Sequence, residues 1–336
     1  MLIYVLELLA MLLVILLASE IFTNALEHLG ERLGISEGVT GSVFAAVGTA
    51  LPETMVPLLA IFAGTTSQQV NEEVGVGAIL GAPLMLSTLT TCLMGLAILP
   101  RRGLAGRVRP ERSGFVRDLH FFIVAFSVAA LAMLVPHQMR IARGALSMAL
   151  VALYASYLFL TIRASRQLVD AGHQTEAHGK MLLCRLGLTQ RLATIVLQLS
   201  LGLVLLMLGA EGFIHAIQGA SESLGISALL LSLLIIPVAT ELPEKVNSVL
   251  WIRRGKDTLA FGNITGAMVF QGTLLPAIGI MLTPWEPRLE VLSGIVITLI
   301  AALWLRSNAA DQGLRVWALL ANGAMYAGYI AITVAR

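Results

Sequence analysis

Charged side chains are scarce in this chain of 336 residues, at 12% of the total, whereas hydrophobic side chains make up 57%. The mean hydropathy is +0.86. This composition excludes an ordinary soluble domain. Apolar runs of about 18 residues or more recur along the whole length, which is typical of membrane-spanning helices. The first run has neither a basic segment nor a cleavage-like end, so we interpret it as a retained helix rather than a signal peptide.

Cysteine is also nearly absent, since the chain has only Cys92 and Cys184. Their spacing makes neither a disulfide framework nor a metal-binding motif. The chain also lacks a paired catalytic aspartate, a His-Glu-x-x-His sequence and a Ser–His arrangement, so we do not expect an enzyme. We predict no cofactor, no nucleic acid and no protein partner. The expected partners are small cations and the lipid bilayer.

The apolar runs predict an all-α membrane protein with short connections, none of which is long enough for a soluble domain. The ten predicted helices cover residues 2–28, 38–64, 74–99, 118–135, 144–163, 192–217, 226–252, 258–283, 289–305 and 314–335.

The basic residues are distributed unevenly among the predicted loops. Of the 22 lysines and arginines, 17 lie in loops that follow odd-numbered helices, and Lys245 lies within a helix. Basic loops remain preferentially in the cytoplasm. We therefore predict a protein of the cell (inner) membrane with cytoplasmic odd-numbered loops and both termini outside. The opposite side holds the remaining four basic residues, which are Arg140, Arg143, Arg288 and Arg336.

The chain also contains an internal repeat. Residues 20–53 and 211–244 align without a gap and share 13 of 34 residues. Each half contains five predicted helices, an odd number, so the second half must insert upside down relative to the first. Inverted repeats with interrupted helices are typical of secondary transporters. The predicted organisation is a first inverted repeat at 1–164, a cytoplasmic linker at 165–191 and a second inverted repeat at 192–336.

The best-matched part of the repeat places a carboxylate next to a proline within an apolar helix. The two copies are Val-Gly-Thr-Ala-Leu-Pro-Glu at 47–53 and Val-Ala-Thr-Glu-Leu-Pro-Glu at 238–244. The proline removes one intrahelical hydrogen bond, and a membrane helix tolerates such a break only where it lines protein or water. A buried ionisable group there costs at least ~2.5–3.5 kcal/mol, which marks it as a functional candidate. Carboxylates and freed carbonyls are hard oxygen ligands, so the motif indicates a site for calcium, magnesium or sodium.

A second motif follows in each half, as Gly-Ala-Ile-Leu-Gly-Ala-Pro at 77–83 and Gly-Asn-Ile-Thr-Gly-Ala-Met at 262–268. Glycines four residues apart are typical of closely packed membrane helices, and we interpret them in this way. Asn263, Thr265 and Gln271 are different, because a polar side chain in a membrane helix needs a partner or an ion. Asn263 and Gln271 are therefore candidate cation-binding residues.

Two further charges, Glu241 and Lys245, have the spacing that places Glu and Lys on one face of a helix. We expect them to pair, which would leave the site with the charge of Glu53 and Glu244. Glu241 is also a candidate cation-binding residue. The alternative is that the Lys245 side chain extends to water. Because about 12 Å of helix separates Lys245 from Arg253, pairing is the favoured interpretation.

The acidic residues Glu20 and Glu211 occupy equivalent positions in the repeat. They could support the cation site or carry coupling protons. Alternatively, both could lie at a helix end that faces water or a loop amide. Periodicity does not separate these interpretations, because the surrounding helices are apolar on all sides.

The doubled motifs resemble those of the sodium/calcium exchanger family, within the wider calcium/cation antiporter group. Each repeat of that family carries a Gly-Thr-Ser-Leu-Pro-Glu-like motif and then a Gly-Asn-x-x-Gly-Ser-Asn-like motif. The resemblance covers essentially the whole chain. The short linker lacks the large regulatory domain of animal exchangers, so the chain resembles a prokaryotic type.

The resemblance implies ten helices in two inverted five-helix repeats and exchange of cations by alternating access. It implies that Glu53 and Glu244 are the acidic calcium ligands. It also implies that Thr49 and Thr240 share this site through their carbonyls and hydroxyls. The transported ions would be Ca²⁺ with Na⁺ or H⁺.

The chain departs from the family where that family binds sodium. A proton, unlike sodium, needs only one suitable carboxylate rather than a shell of oxygens. We therefore hypothesise that protons drive exchange more than sodium does, with sodium coupling as the alternative. A second alternative, from another functional class, is a non-transporting membrane scaffold or sensor derived from the family. The departures from the family motifs are Ala50, Ala82, Leu86, Glu241, Ala267 and Gln271.

Overall fold

The computed structural model describes residues 2–35, 40, 68–170, 179–222, 237 and 241–334. This part of the chain is almost entirely helical, as its hydropathy predicts. In chain order its elements are α1 (Leu2–Leu33), α2 (Gln68–Met85), a π-helical turn (Leu86–Thr90), α3 (Thr91–Arg102), β1 (Arg107–Val108), α4 (Arg112–Ala132), α5 (Arg140–Asp170), α6 (Leu182–Arg185), α7 (Leu192–Glu222), α8 (Leu242–Arg253), α9 (Asp257–Leu282), α10 (Leu289–Ser307), β2 (Leu314–Arg315) and α11 (Val316–Val334).

Seven helical segments in the described ranges are long and apolar enough to cross a membrane. The all-helical membrane fold is therefore confirmed. The predicted helix at 38–64, apart from residue 40, and about half of the one at 226–252 lie outside the described residues, so the count of ten and the inverted repeat stay predictions. The seven segments are Gly75–Arg102, Arg112–Ala132, Arg140–Ala164, Leu192–Gly209, Asp257–Leu282, Leu289–Ser307 and Val316–Thr333.

Several predicted helix boundaries differ from the structure by about five residues or more, and two of these differences have identifiable reasons. Helix α4 begins at Arg112 rather than 118, because the Glu111 carboxylate accepts hydrogen bonds from the backbone N–H groups of Ser113 and Gly114, at 2.6 and 2.7 Å. Such a cap satisfies amides that otherwise lack partners at a helix start. Helix α5 continues through Asp170, so the linker predicted at 165–191 begins with helix. Polar residues without glycine or proline extend a helix readily after its apolar part ends.

Loops that follow α3, α8 and α10 meet at one end of the bundle. Strand β1 pairs antiparallel with β2, which joins segments from the two predicted repeats. Beside this two-stranded ribbon, the Arg102 guanidinium donates two hydrogen bonds to the Asp257 carboxylate, at 2.8 and 2.9 Å. The backbone N–H of Arg109 donates to the same carboxylate at 2.8 Å. Paired ion and backbone contacts of this kind fix the relative position of the loops.

The same end holds a buried ion pair between α1 and the loop that precedes α9. Lys256 Nζ lies 3.1 Å from Glu27 Oε2, with only 8% and 2% of the two side chains exposed. Trp251 Nε1 donates to the other carboxylate oxygen of Glu27 at 2.7 Å. The end of α1 is thereby attached to the end of α8.

At the opposite end of the bundle, Arg143 at the start of α5 caps the C-terminus of α9. Its guanidinium donates to the carbonyl oxygens of Ile280, Thr283 and Pro284. The last carbonyls of a helix lack intrahelical partners, and a cation is favoured beside them. The loops after α4 and α9 therefore share one end, while the more basic loops share the other. This grouping agrees with the parity of the predicted topology, and the cytoplasmic orientation of the basic end stays a prediction.

Labelling of single cysteines tests that orientation, in a background where Cys92 and Cys184 are replaced by serine. We expect Ala105→Cys, in the exposed loop after α3, to resist a membrane-impermeant thiol reagent in intact cells, because basic loops remain in the cytoplasm. Gln138→Cys, in the loop after α4, should react rapidly. Fast labelling at position 105 with protection at position 138 would show that the orientation is the reverse of the predicted one.

Helix α9 forms the centre of the bundle. Most of its residues are buried, including the polar Asn263, Thr265 and Gln271. It packs against α4 and α5, for instance through an edge-to-face contact of Phe115 and Phe261 with ring centroids 5.3 Å apart. Helix α1 packs along α7, which is its counterpart in the predicted repeat. The candidate polar residues are thus carried by the best-enclosed helix rather than by a loop.

Candidate functional site

The helix break predicted at the Leu-Pro-Glu sequence coincides with the start of α8. Glu241 lies just before this helix, with φ −90° and ψ 4°, and Pro243 lies in its first turn. Proline is well tolerated there, because the first N–H groups of a helix have no intrahelical acceptor. Glu244 consequently lies in the first turn of α8, where the helix dipole favours a negative charge.

The predicted pair of Glu241 and Lys245 is confirmed. Lys245 Nζ lies 3.0 Å from Glu241 Oε2, and the two side chains are 6% and 0% exposed. Lys245 therefore does not extend to water. The lysine side chain also contacts residues outside its own helix, since Nζ lies 3.0 Å from the carbonyl oxygen of Pro237 and 3.6 Å from the Met85 sulfur. The end of α2 is thus brought against the helix break.

Glu244 is fully buried, and α9 packs against its turn of α8. The Asn263 amide donates to the backbone carbonyl of Glu244 at 3.2 Å and to the Ser248 hydroxyl at 3.0 Å. These bonds hold the Asn263 side chain against the turn that carries the carboxylate. The Asn263 carbonyl oxygen is buried and accepts no hydrogen bond within the described part of the chain.

Asn247 is a polar residue that the sequence analysis missed. It lies one helical turn after Glu244 and is fully buried. Neither its oxygen nor its nitrogen has a hydrogen-bond partner among the described residues. Buried polar groups are almost always paired, so Asn247 is a further candidate residue of the site. The spacing from Glu244 could have identified it, because residues three apart share a helix face.

The other polar residues of α9 separate into two kinds. Thr265, for which the sequence predicts a partner or an ion, has a partner: its hydroxyl lies 2.8 Å from Asp118 Oδ2 of α4. Thr265 is therefore explained by packing between helices. Gln271 is fully buried, about two turns along α9 from Asn263, and remains a candidate.

The π-helical turn between α2 and α3 is a feature that the sequence does not predict. It begins at Leu86, and the Asn322 amide of α11 donates to the Ser87 carbonyl within it at 2.7 Å. A π turn frees backbone carbonyls from regular pairing and is frequent at functional sites. Since Met85 lies next to it and contacts Lys245, this turn borders the helix break of α8.

Several predicted site residues lie outside the described part of the chain. These are Glu53, Thr49 and Thr240, together with Ala50. The first-repeat contribution to the site therefore stays a prediction. Glu20 lies within α1 and pairs with Arg254 at 3.2 Å while 43% exposed, so it lies neither at a helix end nor in the buried site. The Glu211 side chain is not among those described.

These features define the class of protein: a multi-spanning helical membrane protein with buried carboxylate and amide groups at a helix break. The sequence model of the family described as "Sodium/calcium exchanger protein" matches residues 3–163 and 194–335. The chain therefore belongs to the sodium/calcium exchanger family, a family of transporters.

Individual relatives agree with this assignment. The inner membrane protein YrbG of Escherichia coli (strain K12) is 26% identical over 321 residues, which cover 93% of this chain and 91% of YrbG. The putative antiporter CaxA of Alkalimonas amylolytica is 36% identical over 86 residues, 26% of this chain and 27% of CaxA.

Two solved transporter structures show the same fold. The sodium-calcium exchanger NCX_Mj superposes with a TM-score of 0.73 at 18% identity, over 100% of this chain and 99% of that one. An H⁺/Ca²⁺ exchanger, CAX, superposes with a TM-score of 0.72 at 17% identity, over 98% of this chain and 82% of that one.

Proposed function

We propose that this protein is a secondary active cation antiporter of the cell membrane. It exchanges calcium, or a similar cation, against sodium or protons by alternating access at a carboxylate site near the membrane midplane. Its termini lie outside, as the distribution of basic residues favours.

The observation that carries the proposal is the set of buried oxygens around Glu244. The carboxylate lies in the first turn of α8, with the Asn247 amide one turn further on and Asn263 bonded to the same turn. The two amide oxygens accept no hydrogen bond from the described residues. Carboxylate and amide oxygens are the ligands that calcium prefers. Glu53, Thr49 and Thr240 would complete this site from the first repeat and from the residues just before α8.

The coupling ion is not distinguished by the fold, because a sodium-calcium exchanger and an H⁺/Ca²⁺ exchanger superpose almost equally well. The side chains favour protons. Ala82, Leu86 and Ala267 are buried and apolar, so they supply no side-chain oxygen for a sodium ion. A proton requires only a carboxylate, and Glu241 adds one to Glu244 at the break. We therefore propose that the proton gradient contributes more to exchange than the sodium gradient.

Calcium uptake into proteoliposomes tests both the function and the coupling. One set of vesicles carries a pH gradient without sodium, and a second carries a sodium gradient at equal pH. We expect uptake in the first set to exceed that in the second, because protons need fewer ligands here. Strong sodium-driven uptake with no response to pH would reverse the coupling assignment. No uptake under either gradient would instead favour the scaffold or sensor interpretation.

A further inference from the structure

The ammonium group of Lys245 is enclosed by a carboxylate oxygen, a backbone carbonyl oxygen and a thioether sulfur. Its Nζ lies 3.0 Å from a carboxylate oxygen of Glu241 and 3.0 Å from the carbonyl oxygen of Pro237. The Met85 sulfur lies on another side at 3.6 Å, and the lysine is only 5% exposed. Backbone carbonyls at interrupted helices are the groups with which secondary transporters coordinate monovalent cations. Lys245 places a covalently attached positive charge among such groups.

This arrangement has an electrostatic reason. Glu241 is fully buried, and a buried carboxylate without a compensating charge is strongly unfavourable. Either a fixed cation or an ion from solution could supply that charge. A lysine supplies it permanently, whereas the occupancy of a mobile ion depends on its concentration.

We propose that Lys245 acts as a tethered monovalent cation, which fills a position beside Glu241 that a sodium ion would occupy in its absence. The binding part of this inference depends only on the contacts of Lys245. The consequence for transport rests on the proposed antiport function. It is that one monovalent cation is fixed in the protein and does not cross the membrane during the transport cycle. Lys245 would then help to determine the number of coupling ions.

The variant Lys245→Met tests the proposal, because methionine keeps the apolar part of the side chain but ends before the Nζ position. The purified protein is heated in calcium-free detergent solution that contains either sodium chloride or choline chloride at equal ionic strength. We expect sodium to raise the melting temperature of the variant in a saturable manner, and by more than it raises that of the wild type. Choline is too large to enter the position and should not reproduce the shift.

Two further variants make the result decisive. The double variant Glu241→Gln/Lys245→Met lacks the carboxylate that would hold sodium, so its sodium-dependent shift should return to that of the wild type. Lys245→Gln keeps a hydrogen-bond donor to Glu241 but no charge, and should also gain a sodium-dependent shift. If Lys245→Met does not fold, the sodium-dependent shift of Lys245→Gln tests the proposal instead.

The proposal is overturned if neither single variant shows a larger sodium shift than the wild type, or if the double variant keeps the extra shift. Failure of both single variants to fold even in sodium also counts against it, because sodium should replace the lost charge. These binding measurements involve no transport. A wild type without calcium flux would therefore refute the antiport function alone, and a missing sodium shift would refute the tethered cation alone.

Discussion

Replacing Glu244 with glutamine is expected to abolish calcium transport while the protein still folds. The amide has nearly the same shape as the carboxylate, but it removes a full negative charge from the site proposed to hold a divalent cation. Removing one charged partner of a buried interaction typically costs about 3–5 kcal/mol, which corresponds to a loss of calcium affinity of more than a hundredfold. Raising the calcium concentration within an accessible range should therefore not restore uptake into proteoliposomes.

The matched control is Glu286→Gln, since Glu286 is an exposed carboxylate in the loop after α9. It makes the same chemical change away from the site and should leave uptake unchanged. Glu53→Gln should behave like Glu244→Gln, because the repeat predicts that Glu53 is the equivalent ligand. Retained transport in the Glu244 variant, with its folding confirmed by gel filtration, would refute the assignment of Glu244 as a ligand.

Replacing Lys256 with methionine is expected to destabilise the folded protein by about 3–5 kcal/mol, since it leaves the Glu27 carboxylate buried without its cation. The ion pair is 3.1 Å long and nearly inaccessible to solvent, so water cannot take over the role of the lysine. Unfolding of the purified protein in detergent by heat or denaturant measures the loss. Lys180→Met, at an exposed position, provides the control and should have little effect.

The double variant Glu27→Gln/Lys256→Met distinguishes the charge effect from the packing effect. It removes both charges but keeps an oxygen that can accept the Trp251 N–H. Replacing a buried ion pair with uncharged side chains often changes the free energy of unfolding little. The double variant should therefore recover most of the stability that Lys256→Met loses. If it is as unstable as Lys256→Met, the lysine stabilises the protein through packing instead.

The local features of the site could be predicted from the sequence. The position of Pro243 predicts the new helix at Leu242, and the i, i+4 spacing predicts the pair of Glu241 and Lys245. Hydropathy likewise predicts that the chain is a bundle of apolar helices. Each of these predictions depends on residues within one or two helical turns of each other.

The contacts between distant segments could not be predicted in this way. Glu27 and Lys256 are 229 positions apart, and Arg102 and Asp257 are 155 apart, so no local period relates them. Charge in an apolar helix shows that a partner is needed, but it does not identify the partner. The π turn at Leu86 could not be predicted either, because its geometry depends on packing against α11 rather than on its own sequence.

The ribbon of β1 and β2 has a consequence for how the chain is made. Its strands come from opposite halves of the sequence, and the neighbouring contact of Arg112 with the Ala309 carbonyl joins residues 197 positions apart. A ribosome adds about 5–20 residues per second, so β2 is synthesised roughly ten seconds or more after β1. During that interval the loop after α3 presents unpaired backbone groups, which makes a nascent or truncated chain vulnerable to proteases at this loop. Closure of the ribbon therefore follows synthesis of the chain through Arg315, when segments of both predicted repeats exist.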